Sequence, residues 1–486
     1  FLKGTLINAA YLVVEIVMHL FVRCRRSKLS IREHHRKDQL VGRIIFNILV
    51  AATWTIIAAA VNAQTTEQLP PQTATTQPFL FGSEAINSAV ESALRLSRTS
   101  SSRQDEEEDP NGFRVFWNNG LRMETNDGRF QVRLGGRTMY DWTFWGDGSE
   151  VEDSVGSLLN GTEFRRARLF VQGYLYERIE FKAQYDFAGG KIVAKDLYLG
   201  IRHSAYGFRV GHMKEPSGLE ILTSSKYITF VERSLPTLFD AERNSGFLLH
   251  GNVIGGKFNY GIGVFRETDD SLIGDLPSRY NVTGRFAGAL LNSNGRVFHA
   301  GGSFSFQNGD GANRSFKARP EAHLSPRFIS TTIPTNAVNI VGLETAVLAG
   351  PFSVQGEWKM ASFDSPETDD PVFSGWYAYA SWFLTGEIRN YSASGFGRTS
   401  PKRNFLDGTG GTGAFELAAR YSTLDLSVDG VVKPAVLGPG TRLDNLSVAL
   451  NWYLNPLVVV KHNLIHANIE DVGMTLAFLW RAQVEF

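Results

Sequence analysis

Cysteine is almost absent from this sequence, since Cys24 is the only one among 486 residues. A disulfide framework needs at least one pair of cysteines, and a thiolate metal site needs several. The one thiol also lies close to the N-terminus, so the remaining chain has none. The sequence therefore excludes a disulfide scaffold and a thiolate metal site, and it suits an exported protein.

An excess of positive charge is also lacking. Lysine and arginine together number 49, and aspartate and glutamate number 49. Residues 1–63 hold nine of the basic residues but three of the acidic ones, so the rest of the chain carries 40 basic and 46 acidic residues. A protein that binds nucleic acid usually presents a strongly basic surface. The composition therefore predicts no nucleic-acid partner.

Long apolar runs are confined to the N-terminal part. The run IIFNILVAATWTIIAAA (44–60) follows the basic stretch RKDQLVGR (36–43) and precedes small residues that end at Ala63. This order is typical of a secretory signal peptide with cleavage after Ala63, although the length of the run leaves a membrane anchor as an alternative. Residues 1–63 are therefore predicted to be an upstream extension plus a signal peptide.

Residues 64–112 read as a linker. Residues 64–82 are rich in Pro, Thr and Gln, and residues 101–110 carry a run of charge. Between them, Ser83 is placed to begin a short helix. Its apolar face would consist of Ile86, Ala89, Val90, Ala93 and Leu94. We expect a periplasmic linker with one short helix, which is either unstable by itself or a coiled coil between protomers.

From residue 113 to 486 the sequence lacks both helical periodicity and apolar runs of about 18 residues, the length that a membrane helix needs. Alternation with a period of two recurs instead, in 129–144, 178–187, 415–421 and 445–454. In 178–187, for example, Ile179 and Phe181 share one face while Arg178 and Glu180 share the other. The pattern predicts an all-β domain over 113–486.

A soluble β-sandwich and a transmembrane barrel both produce such alternation. Large aromatic residues near strand ends, such as Trp142 and Trp452, are typical of the two membrane interfaces. Opposite charges repeat on the polar faces, as expected for a wet lumen, and short connections such as Asn455-Pro456 contrast with long ones such as 396–413. We therefore predict a transmembrane antiparallel β-barrel, with a soluble β-sandwich binding module as a remote alternative.

The C-terminal segment MTLAFLWRAQVEF (474–486) has one unbroken apolar face that ends in Phe486. A terminal phenylalanine on the apolar side of the last strand resembles the assembly signal of bacterial outer-membrane barrels. A strand without a neighbour would expose its backbone to lipid, so the last strand must pair with the first one. We expect Phe486 to engage the barrel-assembly machinery.

Several segments, in this order, resemble the phosphate-selective porin O and P family. They are FRRARLFVQG (164–173), YDFAGG (185–190), KDLYLGIR (195–202), RVGHMKEPSGLE (209–220) and VERSLP (231–236). The resemblance implies about sixteen antiparallel strands, a homotrimer in the outer membrane of a Gram-negative-type cell, and a constriction loop within 214–246 that folds into the lumen. It also implies an arginine ladder that leads to a lysine-bearing constriction. Arg165, Arg166 and Lys182 stand at matching places, and Asp196 stands at the place of an acidic partner.

Residue parity assigns faces to the segment FRRARLFVQG. Arg166 and Arg168 share one face, whereas Leu169 and Val171 point to lipid. Arg165 has lipid parity, so we expect it at a strand end or a bulge, because an arginine at the bilayer centre costs about 2–4 kcal/mol.

A guanidinium group offers a fork of donors that matches the oxygens of an oxyanion, which makes basic lumenal residues candidates for an anion pathway. The alternative is that these residues merely pair with nearby carboxylates and hold the wall. The candidates are Arg133, Arg165, Arg166, Arg168, Lys182, Arg209, Lys214, Lys226, Arg233 and Arg243, with Asp186 and Asp196 as acidic partners.

The sequence thus predicts a porin for the passive diffusion of anions, with phosphate or polyphosphate as the expected solutes and outer-membrane lipid as the surroundings. A less selective porin for small solutes such as acidic sugars is the alternative, and a barrel enzyme is a remote one. The GTGGTG segment (408–413) satisfies a nucleotide-binding pattern, but the strand-like FELAARY follows it where that fold needs a helix. No cofactor, metal site or catalytic group is predicted.

Overall fold

The computed structural model describes residues 112–268, 279–367, 370–427 and 441–486. The predictions for the signal peptide, the linker and its helix concern residues outside these ranges. Two short α-helices occur in the described part, α1 (Ser149–Val155) and α2 (Leu219–Leu222). Among the described residues, no helix has the length and hydropathy needed to cross a membrane.

Twenty-two strands dominate the described residues. They are β1 (Phe113–Trp117), β2 (Leu121–Thr125), β3 (Gln131–Trp145), β4 (Gly161–Leu175), β5 (Ile179–Asp186), β6 (Val193–Arg202), β7 (Tyr206–Lys214), β8 (Arg243–Val253), β9 (Phe258–Arg266), β10 (Tyr280–Ser293), β11 (Arg296–Asn308), β12 (Asn313–Ala318), β13 (Ile329–Pro334), β14 (Ala337–Ala349), β15 (Phe352–Asp364), β16 (Val372–Phe383), β17 (Tyr391–Ser392), β18 (Gly395–Phe396), β19 (Ala414–Asp425), β20 (Arg442–Asn455), β21 (Val458–Ile469) and β22 (Gly473–Glu485).

Sixteen of these strands form a closed antiparallel barrel, which confirms the predicted fold class. The barrel runs from β3 to β11 and continues through β14, β15, β16, β19, β20, β21 and β22, and each strand pairs with the next one along the chain. Strand β22 then pairs with β3, where Trp480 lies opposite Trp142. Phe486 extends this seam, because its backbone N–H donates to the Gly136 carbonyl at 3.2 Å. Closure leaves no barrel strand with an unpaired edge in lipid.

The predicted alternation of faces is visible along β14. Val341, Leu343 and Val347 point outward and are 42%, 57% and 43% exposed, whereas the inward-facing Glu344 and Ala346 are buried. An apolar outer face and a polar inner face are what a barrel in a bilayer requires. The same parity separates Leu169 and Val171 from Arg166 and Arg168 on β4, as the sequence predicted.

The two ends of the barrel differ in the length of their connections. At one end, which we call the turn end, most strands are joined by two to four residues, and the chain terminates there at Phe486. The opposite end, which we call the loop end, carries long connections such as 146–160, 215–242 and 309–336. Outer-membrane barrels have short periplasmic turns and longer extracellular loops, which makes the turn end the periplasmic one.

One connection breaks this rule and corrects the sequence-based reading. The segment between β16 and β19, residues 384–413, starts and finishes at the turn end, where Asn455-Pro456 also lies. The sequence predicted that short and long connections alternate along the barrel, with Asn455-Pro456 as a short one and 396–413 as a long one. Both lie on the same end, because Ala414 pairs with Tyr453 close to that turn. The strand that follows GTGGTG is β19, as predicted.

A hydrophobic cluster lies at the loop end of the barrel around the hairpin β12–β13. Phe316 of β12 packs against Phe363 and Phe373 at ring-centroid distances of 5.2 and 5.9 Å, and Phe239 joins them at 6.3 Å. Phe239 belongs to the connection between β7 and β8. This packing holds that connection inside the barrel, where the candidate site is formed.

Candidate functional site

The connection between β7 and β8, residues 215–242, folds into the lumen and crosses it. Its backbone is held by side chains of the far wall: Glu357 of β15 accepts a hydrogen bond from the Glu220 N–H at 2.6 Å, and Arg481 of β22 donates to the Val231 carbonyl at 2.5 Å. Gln483 donates to the Lys226 carbonyl at 3.1 Å. We call this segment the constriction loop, because it narrows the lumen as the sequence predicted.

The composition of the constriction loop explains its buried position. Ile221, Phe230, Val231 and Leu235 are almost fully buried, so the loop brings its own apolar contacts into the barrel. Its polar backbone groups meet partners on the wall, and this removes the penalty for burying them. For example, Asn451 donates to the Thr229 carbonyl at 2.8 Å.

The segment 384–413 enters the lumen from the turn end and meets the constriction loop. The guanidinium of Arg389 lies over the Phe396 ring at 3.7 Å from its centroid and donates to the Tyr379 hydroxyl at 2.8 Å. The Phe396 N–H donates to Thr223 Oγ1 of the constriction loop at 3.2 Å. The lumen is therefore narrowed from both ends of the barrel.

One side of the lumen carries a concentration of cations that we call the basic wall. The strands from β3 to β8 and the constriction loop supply it, and their positive charges lie close enough to repel one another, as between Arg168 and Arg243. Among the described residues, the carboxylates of Asp186, Asp196, Glu232 and Glu242 offset part of this charge. The basic wall consists of Arg137, Arg166, Arg168, Lys182, Lys195, Lys214, Arg233 and Arg243.

The acidic residues predicted from the sequence form ion pairs in the basic wall. Arg168 Nε donates to Asp186 Oδ2 at 2.6 Å, and Lys182 Nζ lies 2.5 Å from Asp196 Oδ2. The same Asp196 also accepts from Arg243 Nε at 2.8 Å. These carboxylates position the cations and leave the cluster with a positive excess.

Arg165 occupies a β-bulge, in agreement with its parity. Met139 of β3 pairs with Arg166 and Tyr140 pairs with Phe164, so Arg165 is the extra residue between them. The bulge turns its side chain inward, where it donates to Glu232 of the constriction loop at 2.8 and 3.1 Å. A bulge commonly re-aims a side chain in this way.

Glu232 is the anchor of the constriction loop on the cationic side. It contacts Arg165, Arg481 at 2.9 Å and Arg166 at 3.9 Å. Burial opposes ionisation of Glu232, but the charges of Arg165, Arg166 and Arg481 hold its pKa well below the usual range. Arg165 is thereby fixed by an ion pair, whereas Arg166 keeps part of its donor capacity.

Two predicted cations of the basic wall donate, among the described residues, only to backbone carbonyl oxygens. Arg233 donates to the Glu220 and Thr223 carbonyls at 3.0 and 2.8 Å, and Lys214 donates to the Ile221 carbonyl. A carbonyl oxygen leaves the positive charge uncompensated. The guanidinium of Arg233 therefore adds to the positive potential of the lumen.

Three predicted residues lie apart from the basic wall. Arg209 donates to Glu180 at 2.5 and 3.2 Å nearer the turn end. Lys226 lies 2.5 Å from Glu485. Arg133 donates to the Asn119 carbonyl beside the hairpin β1–β2. All three residues lie toward the turn end of the lumen. Carboxylates neutralise two of them, Arg209 and Lys226.

Sequence reasoning did not select Arg137 and Lys195. Parity alone assigns Arg137 to the lumen, but nothing local shows that its side chain reaches Ser224 of the constriction loop, to which it donates at 3.1 Å. Lys195 lies beside an irregularity in the pairing of β5 with β6, which hides its direction from a parity argument.

Two buried donors of the basic wall have no acceptor. The Nε atoms of Arg137 and Arg166 have no hydrogen-bond partner among the described residues, although these side chains are only 6% and 5% exposed. A buried donor without a partner costs about 1–3 kcal/mol, so native proteins seldom leave one unfilled. An anion in the lumen would supply the missing acceptors.

The acidic and histidine side chains of the described ranges do not have the geometry of a metal site. They include no group of three or more His, Asp or Glu side chains placed to hold a metal ion. The most buried histidine, His299, lies between Glu344 and the Tyr391 hydroxyl, each at 2.7 Å, where it ties the segment 384–413 to the barrel wall.

Comparisons with known proteins show which family this chain is similar to. The family model described as phosphate-selective porin O and P matches residues 132–486. The chain is 25% identical to Porin O of Pseudomonas aeruginosa over 395 residues, which cover 73% of this chain and 86% of that protein. It is 28% identical to an uncharacterized protein of Caulobacter vibrioides over 329 residues, which cover 65% of this chain and 64% of that protein.

Solved structures of porins also resemble the chain. The anion-selective porin from Comamonas acidovorans matches with a TM-score of 0.48 and 12% identity, covering 74% of this chain and 100% of that one. OmpT of Vibrio cholerae matches with a TM-score of 0.47 and 10% identity, covering 74% of this chain and 98% of that one.

Proposed function

Because this chain belongs to the phosphate-selective porin O and P family, we propose that its lumen carries anions by passive diffusion and that phosphate is the preferred one. The chain is an outer-membrane porin, and its family and fold favour a channel over an enzyme. Preference for anions, and for phosphate among them, is our proposal. Its main support is the basic wall, which lies where the constriction loop narrows the lumen.

The unpaired donors give the basic wall its proposed role. An oxyanion that enters the constriction loses part of its hydration shell and needs replacement hydrogen-bond donors. Within the described ranges, Arg137 and Arg166 each have a buried Nε without an acceptor, and Arg233 donates only to carbonyl oxygens. Guanidinium groups match the oxygens of a tetrahedral oxyanion in a fixed fork.

Passage also requires that the anion leave again. Asp186 and Asp196 lie among the cations and weaken the binding that a purely basic cluster would have. Several moderate sites in series conduct better than one deep site, because the ion must move from each to the next. We expect an anion to move from Arg233 and Lys214 toward Arg166 and Arg137.

The assembly of the porin is part of the same proposal. We infer a homotrimer, as the family resemblance implied. We also infer recognition of the terminal strand β22 and Phe486 by the barrel-assembly machinery, because β22 carries an apolar outer face up to its end.

A planar bilayer experiment tests the function. With purified protein under a KCl gradient, we expect a reversal potential of the sign that chloride selectivity gives. Added phosphate should reduce the chloride current, and Arg166→Ala should weaken this inhibition about tenfold, the effect of one charge-assisted hydrogen bond. Lys257→Ala, on the exposed turn between β8 and β9, is the control and should leave inhibition unchanged.

Two results would contradict the proposal. A cation-selective reversal potential would reject anion transport. Anion selectivity without inhibition by phosphate would instead support the less selective porin, in which acidic sugars and chloride pass alike.

A further inference from the structure

Within the part of the chain that the structure describes, the carboxylate of Glu242 in the lumen is exposed and has no partner. Glu242 is the last residue of the constriction loop before β8, and its side chain is solvent-accessible. It forms neither a hydrogen bond nor an ion pair within the described ranges. The other acidic residues of this region behave differently, since Glu232 contacts three arginines and Asp196 pairs with Lys182 and Arg243.

Cations nevertheless surround Glu242. The charges of Arg233, Arg243, Arg166 and Lys214 all act on it, and its own charge acts on Lys195. Ion-pair contact between Glu242 and these groups is absent in the described structure, so its exposed carboxylate is available to a ligand. Arg233, Lys214 and Arg166 belong to the anion route proposed above.

Glu242 remains ionised at neutral pH. Burial works to raise its pKa, but the positive charges of Arg233 and Arg243 lower it to about 2. An ionised carboxylate can only accept hydrogen bonds. The region around Glu242 therefore combines several cationic donors with one strong acceptor.

This combination distinguishes between oxyanions. Hydrogen phosphate keeps at least one hydroxyl group at pH 7, so it can accept hydrogen bonds from cations and donate one to a carboxylate. Sulfate is fully deprotonated at that pH, so its oxygens meet the carboxylate only with repulsion. An O–H···O⁻ hydrogen bond is short and about twice as strong as a neutral one.

We propose that Glu242 is a specificity-determining residue that accepts a hydrogen bond from a protonated tetrahedral oxyanion as it passes the basic wall. The channel would thus prefer hydrogen phosphate to sulfate, although both are oxyanions of similar size and shape. This inference rests on the proposed anion function and specifies the substrate class.

The test compares inhibition of the chloride current by inorganic phosphate and by sulfate in planar bilayers at pH 7. For the natural sequence we expect phosphate to inhibit at roughly tenfold lower concentration than sulfate, as one charge-assisted hydrogen bond predicts. Glu242→Gln should bring the two concentrations within about twofold of each other, chiefly because sulfate inhibits better once the repulsion is gone. Glu242→Asp should retain a preference for phosphate, because it keeps the carboxylate.

Glu177→Gln, in the turn between β4 and β5, removes a carboxylate outside the basic wall and should keep the natural ratio. Folding of each variant is checked by its resistance to SDS at room temperature. Equal inhibition by phosphate and sulfate in the natural protein would overturn the inference, and so would a natural ratio in Glu242→Gln. Both results leave anion selectivity intact, whereas a cation-selective natural protein would overturn the proposed function itself.

Discussion

Arg481 donates two hydrogen bonds to Asp141, each 2.6 Å long, across the seam where the last barrel strand meets the first. The two residues stand directly opposite each other in β22 and β3, and Arg481 is completely buried. The same guanidinium also contacts Glu232 of the constriction loop. Barrel closure and loop position thus depend on one side chain.

We predict that Arg481→Met destabilises the barrel by about 3–5 kcal/mol, because it leaves Asp141 buried without its partner. The free energy of unfolding in urea measures the loss. Arg442→Met breaks an ion pair with Asp444 that is largely exposed, and it should cost less than about 1 kcal/mol. The double variant Asp141→Asn/Arg481→Met should lose less than the sum of its single variants. Additive losses would show that the two side chains do not act as a pair.

The contacts of Glu232 should depend on pH in a definite direction. Because its folded pKa lies well below the usual value, its ion pairs stabilise the protein above the ordinary pKa of glutamate and are lost as the pH falls through the folded pKa. The stability difference between the natural protein and Glu232→Gln should therefore stay constant from pH 7 to pH 5. It should shrink only at more acidic pH. Urea unfolding at several pH values measures it, and a loss between pH 7 and pH 5 would contradict the assignment.

A charge on the outer face of β14 should cost stability according to its depth. Leu343 points to lipid near the middle of the strand, so Leu343→Arg should reduce the free energy of unfolding by about 2–4 kcal/mol. Asn339 has the same parity but lies closer to the loop end. Asn339→Arg should cost about 0–1 kcal/mol. Equal effects of the two substitutions would mean that this face does not meet the bilayer core.

The segment 384–413 should narrow the lumen only while Arg389 holds it. Arg389→Ala removes the contact with Phe396 and the hydrogen bond to Tyr379, a loss of about 2 kcal/mol. We expect a higher single-channel conductance for this variant. Arg403→Ala changes an exposed arginine of the same segment and should keep the natural conductance. Unchanged conductance in Arg389→Ala would show that the segment does not limit the current.

The alternation of apolar and polar residues along the sequence was enough to predict many strands of this barrel. Strands β3, β5, β19, β20 and β22 were assigned from period-two patterns, because a barrel wall between lipid and water imposes opposite chemistry on alternate residues. The same rule predicted the irregularity at Arg165, since an arginine with lipid parity has to be moved away from the bilayer core. Such inferences need only neighbours in the sequence.

The candidate site was only partly accessible in this way. Parity assigns Arg137, Arg166 and Arg481 to the lumen, but it gives no information on which carboxylate each one meets. Arg481 and Asp141 lie at opposite ends of the barrel sequence, and Glu232 approaches both from a loop. Their contacts exist only after the sheet has closed and the loop has folded inward.

The sequence by itself determined the all-β architecture, the membrane-facing residues and the supply of lumenal cations, because each follows from the local periodicity of a strand. The tertiary structure decided which cations are neutralised, where 384–413 enters the lumen, and that Glu242 is exposed without a partner among the described residues. These properties depend on strand count, closure and loop packing, which join residues hundreds of positions apart. The charge of each residue therefore follows from the sequence, whereas the fold decides which opposite charge, if any, lies beside it.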